Sequence, residues 1–170
     1  MNSSLILRNI ARFALLIVLQ IVVLNNIYLW GYITPCLYLL FIAMLPTNTG
    51  KIPMMIIAFF TGLIIDVSCN MLGFHTFACT AIGFARSQWL DKILLRDNEE
   101  TIDSPSIRSV AFQLFSLYLL LLLLIFYIFY FTMLYFNLHD LASIIFSTLL
   151  STAVTWIIAI LYQTLLLKKK

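Results

Sequence analysis

The chain has 170 residues, of which 63% are hydrophobic and only 10% are charged, and its formal net charge is +3. Because a soluble domain carries roughly 25% charged residues, this composition excludes a water-soluble fold, a disordered chain and a free-standing nucleic-acid binder. The unbroken apolar run 114–136 excludes a β-barrel, whose strands alternate over about 10 residues. We therefore expect an all-α, polytopic membrane protein that forms one domain over residues 1–170, with the lipid bilayer around it and no nucleic acid as a partner.

The positive charges predict the topology. Lys and Arg fall into four groups along the chain: Arg8 and Arg12; Lys51; Arg86, Lys92, Arg96 and Arg108; and Lys168, Lys169 and Lys170. The three intervals between groups contain 38, 34 and 59 residues. Each can hold two crossings within the range of roughly 17–25 residues, although the middle interval is tight, and this places all positive charges on one side. Since Lys and Arg are retained in the cytoplasm, we predict six transmembrane helices with both termini and the polar loop 91–106 in the cytoplasm.

The six helices are predicted at about residues 11–30, 33–46, 52–69, 71–89, 106–134 and 141–167. No small-residue cleavage site follows the first apolar run, so we expect an uncleaved first helix. The second helix is short, because only residues 34–45 lean apolar. Asn70 and Gly73 mark the turn before the fourth helix. Ser104 followed by Pro105 predicts the N-cap and first residue of the fifth helix.

The first helix contains two polar residues, Gln20 and Asn25, which lie five positions apart and do not share a tight helical face. We interpret them as donors and acceptors of interhelical hydrogen bonds. The outer loops are only a few residues long, so we expect partners to bind through membrane faces. The first helix, with Gln20 and Asn25, is one candidate face for a partner's transmembrane helix.

Small residues recur every four positions in three helices, and this pattern is typical of closely packed membrane helices. The series are Ala58, Gly62 and Asp66 in the third helix, His75, Cys79 and Gly83 in the fourth, and Ser143, Ser147, Ser151, Thr155 and Ala159 in the sixth. We expect all three faces to serve helix packing.

Asp66 is the only acidic residue that the predicted spans contain, and it lies near the outer end of its span. A carboxylate costs roughly 2.5–3.5 kcal/mol at mid-membrane and less toward the interface. Two interpretations remain open. Asp66 is either a clasp that locks the third helix to the fourth, with His75 close by across the turn, or a polar contact site for a partner.

No motif for catalysis or for phosphate binding is present in the sequence, and the three cysteines form no metal-ligand spacing. We expect no enzymatic activity, no cofactor and no metal.

Five stretches carry a resemblance to a known family: residues 19–26, 31–35, 45–46, 62–66 and 73–78. The most recognisable part reads glycine–leucine–x–x–aspartate from Gly62 to Asp66, and Gly73 opens the next helix. Over about residues 8–96 the chain resembles the MreD family of rod shape-determining proteins. The resemblance makes Gly62, Asp66, Gly73 and His75 signature positions without a catalytic role.

The resemblance implies a multi-pass protein of the bacterial cytoplasmic (inner) membrane that acts as a non-enzymatic scaffold of the cell-wall elongation complex. Implied partners are an MreC-like bitopic protein, the MreB filament, a RodA-like glycosyltransferase and a class B penicillin-binding transpeptidase. The implied fold is similar to the substrate-binding component of energy-coupling-factor transporters. The alternative function is therefore a membrane subunit of a vitamin-type transporter. Such a subunit would carry an Ala-xxx-Ala motif in its first helix, whereas Ala11 and Ala14 are only three apart.

Overall fold

The computed structural model of the chain describes residues 3–26, 33–71, 73–93, 104–107, 109–135 and 141–168. Every regular element in these ranges is helical: α1 (Ser3–Val22), a single 3₁₀ turn (Leu24–Asn26), α2 (Leu39–Ala43), α3 (Lys51–Cys69), α4 (Phe74–Ile93), α5 (Phe112–Tyr135) and α6 (Leu141–Lys168). The all-α prediction is confirmed for this part of the chain. The predicted cytoplasmic loop 91–106 lies mostly outside the described residues.

Four segments of the described chain are long and apolar enough to cross a membrane: Asn9–Asn26, Lys51–Cys69, Phe112–Tyr135 and Leu141–Leu165. These segments indicate a multi-pass membrane protein. Six spans are not confirmed, because α4 is not among the four although it has 20 residues, and α2 has only five.

The prediction of a continuous second helix over 33–46 was wrong. Proline lacks an N–H group and disfavours helical backbone at the residue before it, so Pro35 blocks the start of this helix and Pro46 ends it. Between them the chain forms only the short helix α2, Leu39–Ala43.

α1 begins at Ser3 rather than near residue 11. Two further helix boundaries differ from the prediction, and in both places side chains bind the local backbone. α1 ends at Val22 rather than near residue 30, because the Asn26 amide donates to the carbonyls of Ile21 (3.3 Å) and Val22 (2.8 Å). α5 begins at Phe112 rather than at Pro105, because the Ser109 hydroxyl bonds to the backbone of residues 104–106 and the chain turns there.

Residues 34–45, which we call the central segment, run through the middle of the molecule alongside α5 and α6. At one end the Thr34 N–H donates to Ser151 Oγ (3.2 Å), and at the other Gln163 Nε2 donates to Met44 Sδ. Ser151 and Gln163 are about 18 Å apart along α6, at 1.5 Å per residue. Residues 36–45 are all at most 8% exposed, so the central segment is the core around which the helices pack.

α3 and α4 form an antiparallel pair along the faces that the small-residue spacing predicted. A Cβ placed on Gly62 would lie 2.6 Å from the His75 carbonyl oxygen, and one on Gly83 would lie 2.9 Å from the Ala58 Cβ. The two helices therefore touch at glycines, which brings their backbones close enough for side chains at one helix end to reach the other helix.

Candidate functional site

Asp66 is 2% exposed and bonds to the first turn of the neighbouring helix. Its Oδ1 accepts from the backbone N–H of His75 (3.0 Å), and its Oδ2 accepts from the N–H (2.7 Å) and the hydroxyl (2.5 Å) of Thr76. N–H groups in the first turn have no partner within their own helix. The Asp66 carboxylate therefore caps α4 from α3, at the helix end where the dipole favours negative charge.

The local sequence explains why the cap comes from another helix. Gly73, which precedes α4, has no side chain to serve as a cap, and its φ of +89° suits the turn. Asn70 ends α3 with a φ of 53°, and its N–H donates to the Asp66 carbonyl. Gly62, one turn before Asp66, lets the start of α4 approach. Asp66 therefore binds the end of its own helix and the start of the next.

These contacts correspond to the clasp interpretation of Asp66, but His75 takes part only through its backbone. The imidazole Nδ1 of His75 bonds to the Tyr38 hydroxyl (2.9 Å) in the central segment. The expected side-chain pair between Asp66 and His75 is therefore absent from this structure. A role of Asp66 as a contact site for a partner stays a prediction.

Gln20 and Asn25 are brought together, although their spacing argued against a shared face. The chain leaves the helix after Val22, and the 3₁₀ turn returns Asn25 to within 2.9 Å of Gln20 Nε2. Gln20 is 2% exposed and also binds the central segment, donating to the Pro35 carbonyl (2.9 Å) and accepting from the Leu37 N–H (2.9 Å). Gln20 therefore serves the interior and is not available to a partner helix.

Hydroxyl groups on α5 and α6 satisfy the backbone of the central segment where it is not helical. Tyr127 donates to the Thr34 carbonyl (2.7 Å) and lies 3.1 Å from the Cys36 N–H, which is also 3.3 Å from Thr155 Oγ1. Irregular backbone at membrane depth is tolerated only where protein groups bind it. The serine and threonine series of α6 thus supplies hydrogen bonds as well as close packing.

Arg86 binds the other end of the central segment. It is 1% exposed, and its guanidinium donates to the Ala43 carbonyl (3.4 Å) and to the Leu45 carbonyl. The Tyr118 hydroxyl also donates to Ala43 (3.1 Å). Carbonyls at a helix end have no partner within the helix, so Arg86 and Tyr118 cap α2.

Sequence reasoning missed these residues as a group. In the sequence analysis, Arg86 was used only as one of the positive charges that predict the topology. It lies one turn after Gly83, on the face of α4 that also contains Cys79, and this spacing predicts that its side chain points inward. No comparable signal existed for Tyr118 or Tyr127, because α5 is apolar all round.

A polar cavity of about 460 Å³ lies where α1 ends, α3 ends and α4 begins. Three predicted site residues, Gln20, Asn25 and His75, line this cavity. The other polar or aromatic residues of its lining include Thr34, Cys69, Asn70 and Tyr130. Asp66 and the two glycines Gly62 and Gly73 are not part of its lining and support the adjoining turn.

A larger apolar groove of about 710 Å³ lies between α1 and α3. Ile10 and Phe13 form one wall, and Ile56, Phe60 and Ile64 form the other. The polar residues of the groove are concentrated at one end, where Asn9, Asn48 and Thr49 lie beside the start of α3. No predicted site residue lines this groove.

Within the described residues, no three His, Cys, Asp or Glu side chains lie close enough together to hold a metal ion. Comparison of the chain with protein-family models, with curated proteins and with solved structures finds no match.

Proposed function

We propose that the protein is a non-enzymatic membrane scaffold of the bacterial cell-wall elongation complex, as its resemblance to the MreD family implies. The observation that supports a scaffold best is the apolar groove between α1 and α3. It is the larger of the two cavities described above, and it opens on the surface where large hydrophobic side chains are exposed, Ile56 by 50% and Phe60 by 56%.

The shape of the groove suits a transmembrane helix. Its α3 wall runs from Gly50 to Ile64, which is about 21 Å at 1.5 Å per residue, or two thirds of a hydrocarbon core of roughly 30 Å. Three of its four polar residues, Asn9, Asn48 and Thr49, lie at one end, at the depth where a membrane helix meets the interface, and the fourth, Thr61, bonds to the Ile57 carbonyl of its own helix. Transmembrane helices associate by close packing rather than by hydrophobic burial, and a preformed groove supplies that packing surface.

The occupant we propose is the single transmembrane helix of an MreC-like bitopic protein. The RodA-like glycosyltransferase, the class B penicillin-binding transpeptidase and the MreB filament would be further members of the same assembly, in the inner membrane. This proposal moves the partner face from Gln20 and Asn25, which bind inside the molecule, to α3 and to the N-terminal half of α1 around Ile10 and Phe13.

We also propose six passes through the membrane, with the central segment as the second pass and α4 as the fourth. The central segment follows α6 for about 18 Å between its two polar contacts, and α4 packs antiparallel along α3. Both features support passes that hydropathy alone does not identify.

Site-specific crosslinking in the intact membrane tests the partner face. A photoreactive residue at position 56 or 60 should capture a bitopic protein with a large extracytoplasmic domain, identified by mass spectrometry. Matched control positions are Ile145 and Leu149 on α6, which are 58% and 57% exposed and lie outside the groove. Capture of that partner from the α6 positions, with only lipid captured at 56 and 60, would refute the proposed groove.

The alternative, a vitamin-type transporter subunit, is supported by the polar cavity. A transporter subunit requires an energy-coupling partner in addition to a ligand. Co-purification of the chain with an ATPase pair, together with ATP-dependent uptake of a vitamin, would favour this alternative over the scaffold.

A further inference from the structure

The polar cavity contains hydrogen-bonding groups that have no partner among the described residues. Thr34 Oγ1 is buried and makes no hydrogen bond. Among the described residues, neither the Tyr130 hydroxyl nor the second imidazole nitrogen of His75 has a partner, while Nδ1 of that ring is taken by Tyr38. His75 is 5% exposed and Tyr130 is 1% exposed, and all three residues line the cavity. Buried threonine hydroxyls without a partner also occur at Thr148 and Thr152, away from the cavity. At the cavity, however, three hydrogen-bonding groups without partners in the described protein line one space, and this combination points to a ligand.

The charge of the lining restricts the ligand. No Asp, Glu, Lys or Arg of the described chain lines the cavity, whereas amide and hydroxyl groups do so on several sides. A charged ligand would lose its hydration there without gaining a counter-charge. A neutral molecule that carries several hydroxyl or amide groups would find donors and acceptors around it.

Two rings at the edge of the cavity, those of His75 and Tyr130, are held in place by packing. The rings of His75 and Tyr130 pack with centroids 4.7 Å apart, and Tyr130 stacks on Phe126 at 5.7 Å and 13°. Packing against His75 and Phe126 fixes the orientation of the Tyr130 ring. Ligand binding therefore loses little side-chain entropy at this residue. A volume of about 460 Å³ lies within the range of roughly 300–1,000 Å³ that small-molecule sites occupy.

We infer that this cavity binds an uncharged sugar ring, with Thr34, His75 and Tyr130 as hydrogen-bonding residues. Hydroxyl groups around the edge of a sugar suit the amide and hydroxyl lining. The sugar can be a free saccharide or the headgroup of a membrane glycolipid, because both present the same ring. This inference does not depend on the scaffold proposal, and the groove between α1 and α3 plays no part in it.

The test uses the full chain in phosphatidylcholine nanodiscs, purified without sugar-based detergents. Methyl-β-glucoside is the free-sugar probe, monoglucosyl-diacylglycerol built into the disc is the lipid probe, and glucose 6-phosphate is the charged control. Binding is measured by saturation-transfer NMR for the soluble probes and by the unfolding temperature for all three. Binding of the glucoside would show that a free sugar is sufficient for binding. Stabilisation by the glycolipid but not by the glucoside would show that the ligand is the headgroup of a lipid.

Two variants remove only the unpaired groups. Thr34→Val deletes the orphan hydroxyl, and Tyr130→Phe deletes the phenol oxygen while keeping the ring. Since neither oxygen has a partner within the described protein, both variants should fold and should weaken binding about five- to tenfold. Tyr162→Phe, which makes the same change on α6 outside the cavity, should leave binding unchanged. Absence of binding by both neutral probes, equal binding of glucose 6-phosphate, or unchanged binding in both cavity variants would overturn the inference.

Discussion

Asp66 carries its carboxylate near the end of a membrane helix, where an acid costs less than the roughly 2.5–3.5 kcal/mol of mid-membrane. The structure offsets this cost without a basic side chain, because both oxygens accept hydrogen bonds from the start of α4. A hydrogen bond to a charged group contributes roughly 1.5–3 kcal/mol, so three of them exceed the cost of insertion. All three partners act as donors, which means that the site requires an acceptor on each carboxylate oxygen.

We predict that Asp66→Asn and Asp66→Leu both destabilise the protein, and that Leu has the larger effect. Asparagine replaces one acceptor oxygen by an NH₂ group, which then faces a donor of His75 or Thr76. Each donor left unsatisfied should cost about 1–3 kcal/mol, measured as a lower unfolding temperature in detergent.

Ser68→Ala on the same helix is the control for Asp66, because that hydroxyl binds only the Ile64 carbonyl and is exposed. An Asn variant as stable as the unmodified protein would show that the cap is not needed. If the stable Asp66→Asn variant also lost crosslinking of the partner at position 56, the role of Asp66 would be to bind the partner.

Gln20 is the second residue whose role can be isolated. Gln20→Leu should orphan the Leu37 N–H and the Pro35 carbonyl, at about 1–3 kcal/mol for each buried group. The expected results are a lower unfolding temperature and faster labelling of Cys36, which is 2% exposed in the central segment. Gln113→Leu makes the same change at an exposed position on α5 and should change neither value. Equal labelling of Cys36 in the two variants would contradict a role for Gln20 in holding the segment.

At the scale of elements, the pairing of α3 with α4 depends on close backbone contact. Gly62→Ala would place a methyl group 2.6 Å from the His75 carbonyl oxygen and from the Thr76 Cα, and a backbone cannot yield as a flexible side chain can. We predict a loss of about 1–3 kcal/mol of unfolding free energy, since overpacking a tight contact costs that much.

Gly50→Ala is the matched control for this prediction. Its new methyl group would meet only the Pro53 ring, at an ordinary 3.5 Å, and its φ of −58° suits alanine. If both alanine variants unfolded at the same temperature, the Gly62 contact would not determine the helix pairing.

The same elements show which features of the fold can be predicted from sequence. The faces of α3 and α4 were predicted correctly because spacing by four residues defines a helix face whatever packs on it. The contact between Gln20 and Asn25 depends on where α1 ends, and the Asn26 bonds that end it are not visible in residue spacing. The second helix was overextended because its hydropathy resembles that of a span, whereas Pro35 and the hydroxyl groups of α5 and α6 favour an irregular chain.

The residues of the Asp66 cap and of the polar cavity were predicted only in part. Asp66 and His75 were identified because ionisable residues are rare in apolar helices. Thr34 and Tyr130 were not, because nothing in their sequence context distinguishes an unpaired hydroxyl from a paired one.

At the scale of the whole molecule, several polar side chains are buried within the apolar core, and large apolar side chains are exposed on the outside. Arg86, Gln20 and Asp66 are each at most 2% exposed, whereas α1, α3 and α6 expose large hydrophobic residues such as Val67 (72%) and Leu165 (67%). This distribution suits surroundings of lipid, where hydrogen bonds rather than apolar burial hold helices together.

The distribution of positive charge gives the last prediction, which concerns orientation. Lys51 begins α3, Arg86 lies 3.9 Å from Met54 near the same helix start, and α6 approaches Met44 through Gln163 shortly before Lys168. The structure thus brings Lys51, Arg86 and the C-terminal end of α6 toward one end of the bundle, and Asp66 and the polar cavity lie toward the other. Because positive residues are retained in the cytoplasm, reporter fusions after Gly50, Glu100 and Lys170 should report cytoplasm, and a fusion after Asn70 should report the outside. A fusion after Asn70 that reports cytoplasm would place the cavity inside the cell, and an outside signal from Lys170 would exclude six passes.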